Sequence, residues 1–253
     1  LALKKENVAY CRFGDGDLQI AYGKNSGTHC SDKRQTQEMK QSFQIVHPNY
    51  LRALPLSHDS YGVDEPGMYI KYHRKKYCDV IFGHAIKFWG GDIYKDPIYS
   101  ALAPIYLAKS DPKYLAFFLD RLTQCGNKVV LVGNEVNKIG ELQNIFYNRI
   151  SLFIGTPNKD AYLKIEEIWN KLTYYFDDHP DEYIIIIGFL GNSGRILCKK
   201  LWETKYHFAF FDFSSLMDLL CGGGCRRRRW MRMDDAKDVP IKKNLLNELQ
   251  KRK

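Results

Sequence analysis

Two carboxylates set two residues apart among glycines are the first feature of this chain that could do chemistry. They are Asp15 and Asp17 in Arg12-Phe13-Gly14-Asp15-Gly16-Asp17, and they follow the apolar run 8–13 directly. Like charges at this spacing on a turn repel unless a cation lies between them. An oxygen-loving divalent ion, Mn²⁺ or Mg²⁺, would settle the conflict and could hold a diphosphate. The glycines would let backbone approach such a ligand closely. The loop lacks the further acidic positions and the closing Glu of an EF-hand. A solvated turn that caps a helix is the alternative reading of the same residues.

Three more runs end in residues suited to a ligand. In "VVLVGNEVNKIGELQNIF" an apolar run opens into Gly133, Asn134, Glu135, Asn137 and Lys138 before a helical pattern begins near Gly140. A lysine beside a helix N-terminus attracts phosphate, and an ordinary polar loop would look the same. In "YIIIIGFLGNSGRILCKKL" the glycines at 188, 191 and 194 are spaced G-x-x-G-x-x-G. That satisfies neither the dinucleotide nor the P-loop fingerprint, although Ser193 could cap the helix or bind an anion. In "FAFFDFSSLMDLL" Asp212 emerges at the end of an apolar run and Asp218 follows. Either could act as a general base if it reaches the nucleophile, or Asp212 could cap the next helix.

The elements that would position these residues are legible from periodicity. Strand-like runs cover 8–13, 52–56, 79–86, 128–133, 149–155, 183–189 and 207–213, several of them apolar at nearly every position. Such runs are expected where both faces of a strand are covered. Between 160 and 177, Ala161, Ile165, Ile168, Trp169, Leu172, Tyr175 and Phe176 share one helical face. The run 110–126 carries Ser110 or Asp111 as N-cap, Pro112 in the first turn and Gly126 as a stop. Alternating strands and helices predict an α/β fold, Rossmann-like, with a mainly parallel sheet and helices on both faces. In such sheets ligands bind beyond the C-terminal ends of the strands, where all four sets of candidates fall.

Residues 1–220 read as a single domain. The stretch 57–110, rich in Tyr, Pro and Gly, reads as an irregular insertion and a candidate acceptor region, with His84, Lys87 and Trp89 as lining residues. An ordinary connection held down by aromatics is the alternative. The 253 residues are 45% hydrophobic and 14% aromatic, enough for a globular core. No apolar run reaches the ~18–20 residues that span a bilayer, and the start, "LALKKENVAY", lacks an apolar stretch of signal-peptide length. The seven cysteines are scattered and odd in number, which predicts a reduced, cytoplasmic setting. Cys221 and Cys225 have no second pair to complete a zinc site.

The formal charge of +9 is unevenly placed. Residues 221–253 hold 11 of the 38 Lys/Arg and 4 of the 29 Asp/Glu, so this C-terminal tail carries +7 and the rest of the chain +2. A body so nearly neutral is not expected to bind nucleic acid. The tail motif "RRRRWMR" at 226–232 suits peripheral contact with an anionic membrane surface, with a solvated tail as the alternative.

Taken in order, these motifs resemble those of the GT-D-fold glycosyltransferases, a family first described as a bacterial domain of unknown function. That family opens with a strand and R-[FY]-G-D-G-E, whose Asp-x-Glu is its metal motif; here Asp17 replaces the Glu. Its nucleotide-contacting loop matches the segment with Asn137 and Lys138, where the family tends to have Ser-Arg. Its P-x-x-N-A-[FY] corresponds to Pro157, Asp160 and Tyr162, with Asp160 in place of Asn. Its L-G-P-T-A-T-x-L is similar to the segment with Gly191, Ser193 and Arg195. Its D-I-G-H-x-D survives as Asp212-Phe213-Ser214-Ser215, without the His.

The resemblance spans about 5–220. It implies a metal-dependent transferase that moves a sugar from a nucleotide-sugar, a UDP-sugar, to a glycan or glycoprotein acceptor. In that reading Asp15 and Asp17 hold Mn²⁺ or Mg²⁺, and Arg12 contacts a phosphate or pins the turn. Asn137, Lys138, Pro157, Asp160, Tyr162, Gly191, Ser193 and Arg195 hold the nucleotide. Asp212, and second to it Asp218, serves as base toward the acceptor. Two other readings stand beside it: a Rossmann-like methyltransferase or other nucleotide-binding enzyme without metal, and a non-enzymatic binder of anionic surfaces working through the tail.

Overall fold

The segments Ile184–Phe189 and Phe208–Asp212 are buried at every position. Strands that meet water on neither face must be covered by helices on both, and apolar runs of this kind pair in parallel. The computed structural model describes residues 1–27, 29–55, 75–101, 103–125, 128–136, 139–213, 215–220 and 241–252. In chain order its elements are β1 (Val8–Arg12), α1 (Asp15–Ala21), α2 (Lys33–Gln44), β2 (Tyr50–Leu54), α3 (Lys75–Ala85), β3 (Tyr99–Ser100), α4 (Ala103–Ser110) and α5 (Pro112–Cys125). They continue with β4 (Lys128–Asn134), α6 (Gly140–Gln143), β5 (Ile150–Thr156), α7 (Ile165–Asp177), β6 (Ile184–Phe189), α8 (Ser193–Trp202), β7 (Phe208–Asp212), α9 (Ser215–Leu220) and α10 (Ile241–Gln250).

The described strands form one seven-stranded sheet in the order β3-β2-β1-β7-β6-β4-β5, and every pairing is parallel. The first three strands step outward from the centre. The chain then crosses to the far half and returns to place β7 beside β1. The chain leaves β1 through α1 on one face of the sheet and leaves β7 through α9 on the other, and an open parallel sheet has its crevice where neighbouring strands part in this way.

Alternation along each strand divides the core in two. Tyr10, Val129, Leu131, Ile185, Ile187, Ala209 and Phe211 face one side, packed under residues of α4, α5, α9 and α10. Ala9, Cys11, Val130, Val132, Ile184, Ile186, Phe208 and Phe210 face the other, under α1, α2, α7 and α8. The expected sandwich of helices on both faces is what the chain builds. In α7 the buried residues Ile165, Ile168, Leu172 and Phe176 follow the spacing of three and four read from the sequence. Leu172 is fully buried, so Leu172→Ala is expected to cost about 2–5 kcal/mol through lost burial plus the cavity it leaves. Urea unfolding should show a lower midpoint with an unchanged slope.

One strand expectation is overturned. Residues 79–85 form the end of α3 and Ile86 lies in the turn after it, so this run is not a strand. Ile81 and Ala85 are buried four residues apart, while Val80 and Ile86 are exposed, the signature of a helix lying on its side. Near the end of the chain α10 is amphipathic, and its Leu245 and Leu249 complete the core beside α5. Among the described residues no helix is long and apolar enough to cross a membrane.

Candidate functional site

β1 ends where Gly14 turns the chain into α1. The Gly14 N–H donates to Asp17 Oδ2 at 2.8 Å, so Asp17 closes the first turn of the helix that it belongs to. Both aspartates therefore sit on a helix and not on an open turn. At about 100° per residue they point some 200° apart. Asp15 is exposed, whereas Asp17 is 3% exposed. The sequence suggested two carboxylates facing each other across a shared ion. The fold sends one to water and the other into the sheet's crevice.

What meets Asp17 there is Arg195, from the first turns of α8. Its Nε lies 3.2 Å from Asp17 Oδ1, and its Nη1 lies 2.8 Å from Asp212 Oδ2 at the end of β7. Nε also donates to the Arg12 carbonyl oxygen, and Nη1 donates to the Gly191 carbonyl at 2.6 Å. One guanidinium thus ties together the C-terminal ends of β1, β6 and β7. Asp17 Oδ1 and Asp212 Oδ2 are buried and make no hydrogen bond, so their contact with Arg195 is ionic and out of hydrogen-bond alignment. Burial raises the pKa of Asp17, with Arg195 and the Gly14 N–H pulling the other way. Burial also works against the charge on Arg195, but Asp17 and Asp212 outweigh it and hold the guanidinium above its ordinary value.

The loop into α8 packs closely against this turn. Asn192 Nδ2 donates to the Gly16 carbonyl at 3.1 Å. A Cβ on Gly16 would lie 2.7 Å from Ser26 Oγ and 3.3 Å from Asn192 Oδ1. Gly191 adopts φ +58, and a Cβ there would lie 2.9 Å from His29 Nε2, so both the backbone twist and the space call for glycine. Ser193, fully buried, opens α8 with its Oγ lacking a hydrogen-bond partner. Such a hydroxyl at a helix N-terminus suits an anion.

The donor set fits a divalent ion as an incomplete site. Carboxylate oxygens are the hard ligands that Mn²⁺ or Mg²⁺ prefers, and Asp17 Oδ1 is an orphaned one. Among the described residues no group of three His, Cys, Asp or Glu side chains gathers that could hold an ion unaided. Such ions are commonly held by one or two carboxylates plus the oxygens of a phosphate ligand.

The other expected residues are spread along the same edge of the sheet. Arg12 is buried, and its Nη1 donates to the Phe213 carbonyl just beyond β7 at 3.4 Å. Pro157 is half-buried after β5. Asp160 is left-handed at φ 49, and its Oδ1 accepts the Cys30 N–H at 2.6 Å. Tyr162 is buried, and its hydroxyl donates to Glu38 Oε2 at 2.7 Å, so its polar end is directed at α2. Asn137 and Lys138 lie outside the described residues. So do 57–74 of the expected insertion, the Cys221–Cys225 pair and the basic motif at 226–232. Asp218 is on α9, with its side chain outside the description.

Two of the lining residues proposed for the acceptor have other partners. Trp89 is 8% exposed, with the Arg52 guanidinium 3.8 Å above its ring and its Nε1 donating to Asp96 Oδ2. His84 Nδ1 lies 3.1 Å from the Tyr22 hydroxyl at the surface. Sequence reading missed Ser26, His29, Cys30 and Asn192, which carry the chain from the Asp17 turn past Gly191 to Asp160. No periodicity marks them: Ser26 is placed by its bridge to His29, and His29, Cys30 and Asn192 meet segments more than a hundred residues away.

Comparison with known proteins agrees with this fold. The family described as "Glycosyltransferase GT-D fold" matches residues 10–212. Among solved structures, the chain is similar to a new glycosyltransferase (DUF1792) from Streptococcus sanguinis, at a TM-score of 0.62 and 16% identity, covering 96% of this chain and 92% of that one. It is similar to the selenomethionine-substituted domain of unknown function 1792, at a TM-score of 0.60 and 15% identity over 96% and 91% of the two chains. A third similar structure, of that domain described as having a distinct glycosyltransferase fold, gives a TM-score of 0.58 and 15% identity, again over 96% and 91%. No curated protein matches the chain.

Proposed function

The chain belongs to the glycosyltransferases of the GT-D fold, and on that footing we propose that it moves a sugar from a UDP-sugar to a hydroxyl of a glycan or glycoprotein. The observation that supports this reading is the meeting of Asp17, Arg195 and Asp212 at the crevice between β1 and β7. Three motifs up to 195 positions apart contribute one residue each, at the place where a parallel sheet takes its ligand.

In this reading the N-terminus of α8, with Gly191 and the Ser193 hydroxyl, receives the diphosphate. A divalent ion, Mn²⁺ or Mg²⁺, would be held by Asp17 together with oxygens of the diphosphate, with Asp15 on the water-facing side of α1, and would neutralise charge on the departing diphosphate. Asp212 is the proposed base, with Asp218 second. The acceptor oxygen bonds to the anomeric carbon as the bond from that carbon to the β-phosphate oxygen breaks, and the acceptor proton passes to the base. Asp160 and the Asn134–Asn158 side-chain pair, 3.0 Å apart across the ends of β4 and β5, would border the nucleoside.

A panel of UDP-sugars, scored for slow donor hydrolysis with Mn²⁺ or Mg²⁺, tests the proposal. Thermal-shift assays with UDP, S-adenosylmethionine and NAD run beside it. Release of UDP from at least one donor, with stabilisation by UDP, is expected. Stabilisation by S-adenosylmethionine or NAD, with every UDP-sugar intact, would overturn it.

A further inference from the structure

We propose that Arg195 stands in for a divalent cation while no donor is bound, so that Mn²⁺ or Mg²⁺ enters beside Asp17 only together with a diphosphate. This rests on the reading of the chain as a user of a nucleoside-diphosphate sugar.

Charge at the crevice carries the argument. Asp17 and Asp212 bring two buried carboxylates and Arg12 and Arg195 bring two buried guanidiniums, while Asp15 faces water. The buried carboxylates already share a cation, so a bare divalent ion entering next to Asp17 would gain little and would lie within a few ångströms of a like charge. Nor would it find its ligands, since no three candidate side chains gather among the described residues. A diphosphate changes both terms. It adds negative charge and supplies the missing oxygens.

The geometry lets Arg195 share Asp17 without leaving. Its guanidinium is anchored to the carbonyls of Arg12 and Gly191, and its own carbonyl accepts from Ser42 Oγ at 3.3 Å. Asp17 Oδ1, by contrast, makes no hydrogen bond, and its partner Oδ2 is fixed by the Gly14 N–H. The carboxylate is therefore held in place, and its Oδ1 is committed to the Arg195 charge at 3.2 Å without the alignment of a hydrogen bond, the contact a second cation would share. The two ligands must then favour each other to the same degree, because coupling between binding sites is reciprocal.

Titration of Mn²⁺, followed by the paramagnetic resonance signal of the free ion, measures this without turnover. Wild-type protein is expected to bind Mn²⁺ weakly alone and about 5- to 150-fold more tightly with saturating UDP. Arg195→Met should tighten Mn²⁺ binding in the absence of UDP by roughly tenfold, and UDP should then add less. Arg195→Lys, which keeps the charge, should behave like wild type. Equal Mn²⁺ affinity of wild type with and without UDP would overturn the inference, and so would unchanged Mn²⁺ affinity in a folded Arg195→Met. If that variant does not fold, the wild-type comparison decides. UDP binding as tight in EDTA as in Mn²⁺ would overturn the coupling and leave the nucleotide reading standing. Failure of UDP to bind under either condition would remove both.

Discussion

Replacing Arg195 with Met is expected to destabilise the fold by about 3–5 kcal/mol, the usual cost of removing one partner from a buried ion pair. The neutral side chain leaves Asp17 and Asp212, 3% and 2% exposed, without the guanidinium that compensates both. It also removes the guanidinium donor from the carbonyls of Arg12 and Gly191, the latter keeping the Gly194 N–H at 3.0 Å. For a chain of this size the melting midpoint should fall by on the order of 10 °C. The loss should depend on pH in a definite direction. Burial already raises Asp17 above the ordinary aspartate value, and Arg195 opposes that rise. Without Arg195 the folded-state pKa climbs further above the unfolded one, so the native state binds the extra proton. Stability then falls as pH rises through that folded value. The deficit against wild type should accordingly be smaller at pH 5 than at pH 8. Mn²⁺ should recover part of it in the variant, since a ligand that binds only the folded state stabilises in proportion to its saturation. Urea titrations at both pH values, with and without Mn²⁺, check each part. A deficit that is under 1 kcal/mol and flat with pH would mean that Arg195 is not the charge that holds this crevice together.

The sheet was the legible part of this molecule. β1, β4, β6 and β7 announce themselves because a strand covered on both faces can place apolar residues at nearly every position, and β5, at the sheet's edge, still shows through its apolar run. The same rule misled at 79–86, where an apolar, β-branched run is the flank of a helix with Ile81 and Ala85 turned inward. β3 has two residues, too few to make any pattern. The site was legible in its members but not in their relations. Arg12, Asp17, Arg195 and Asp212 were all marked, yet Asp17 was paired with its neighbour Asp15. In the fold its partner is Arg195, 178 positions later. Whether D-x-D faces one ion or two directions depends on whether its backbone is a turn or a helix, and capping by Asp17 decides that. The cap was visible only as an alternative, because its N-cap is Gly14, which brings no side-chain oxygen to signal a capping box.

Asp17→Asn is expected to lower kcat/KM for transfer on the order of a thousandfold, equivalent to about 4 kcal/mol of transition-state stabilisation. The fold should be much less affected. Asparagine keeps an oxygen of the same reach, so the Gly14 N–H retains its acceptor and α1 its first turn. Arg195 also keeps Asp212 as its counter-ion at 2.8 Å. What is lost is one negative charge at the point where the ion and the diphosphate are proposed to meet, and such charge is worth most in a dry site. Asp17→Ala, which removes the cap as well, should add a stability cost of about 1 kcal/mol. The pair therefore separates the two duties of a single side chain. If Asp17 serves only to cap α1, Asp17→Asn will transfer sugar at nearly the wild-type rate and only Asp17→Ala will lose stability. If it serves the reaction, both will be slow while only the alanine variant melts early. Asp15→Asn is the matched control, since it removes the same charge from an exposed position that caps nothing described. If Asp15 contributes through ion binding alone, excess Mn²⁺ should recover much of its lost rate, whereas Asp17→Asn should stay slow at every Mn²⁺ concentration.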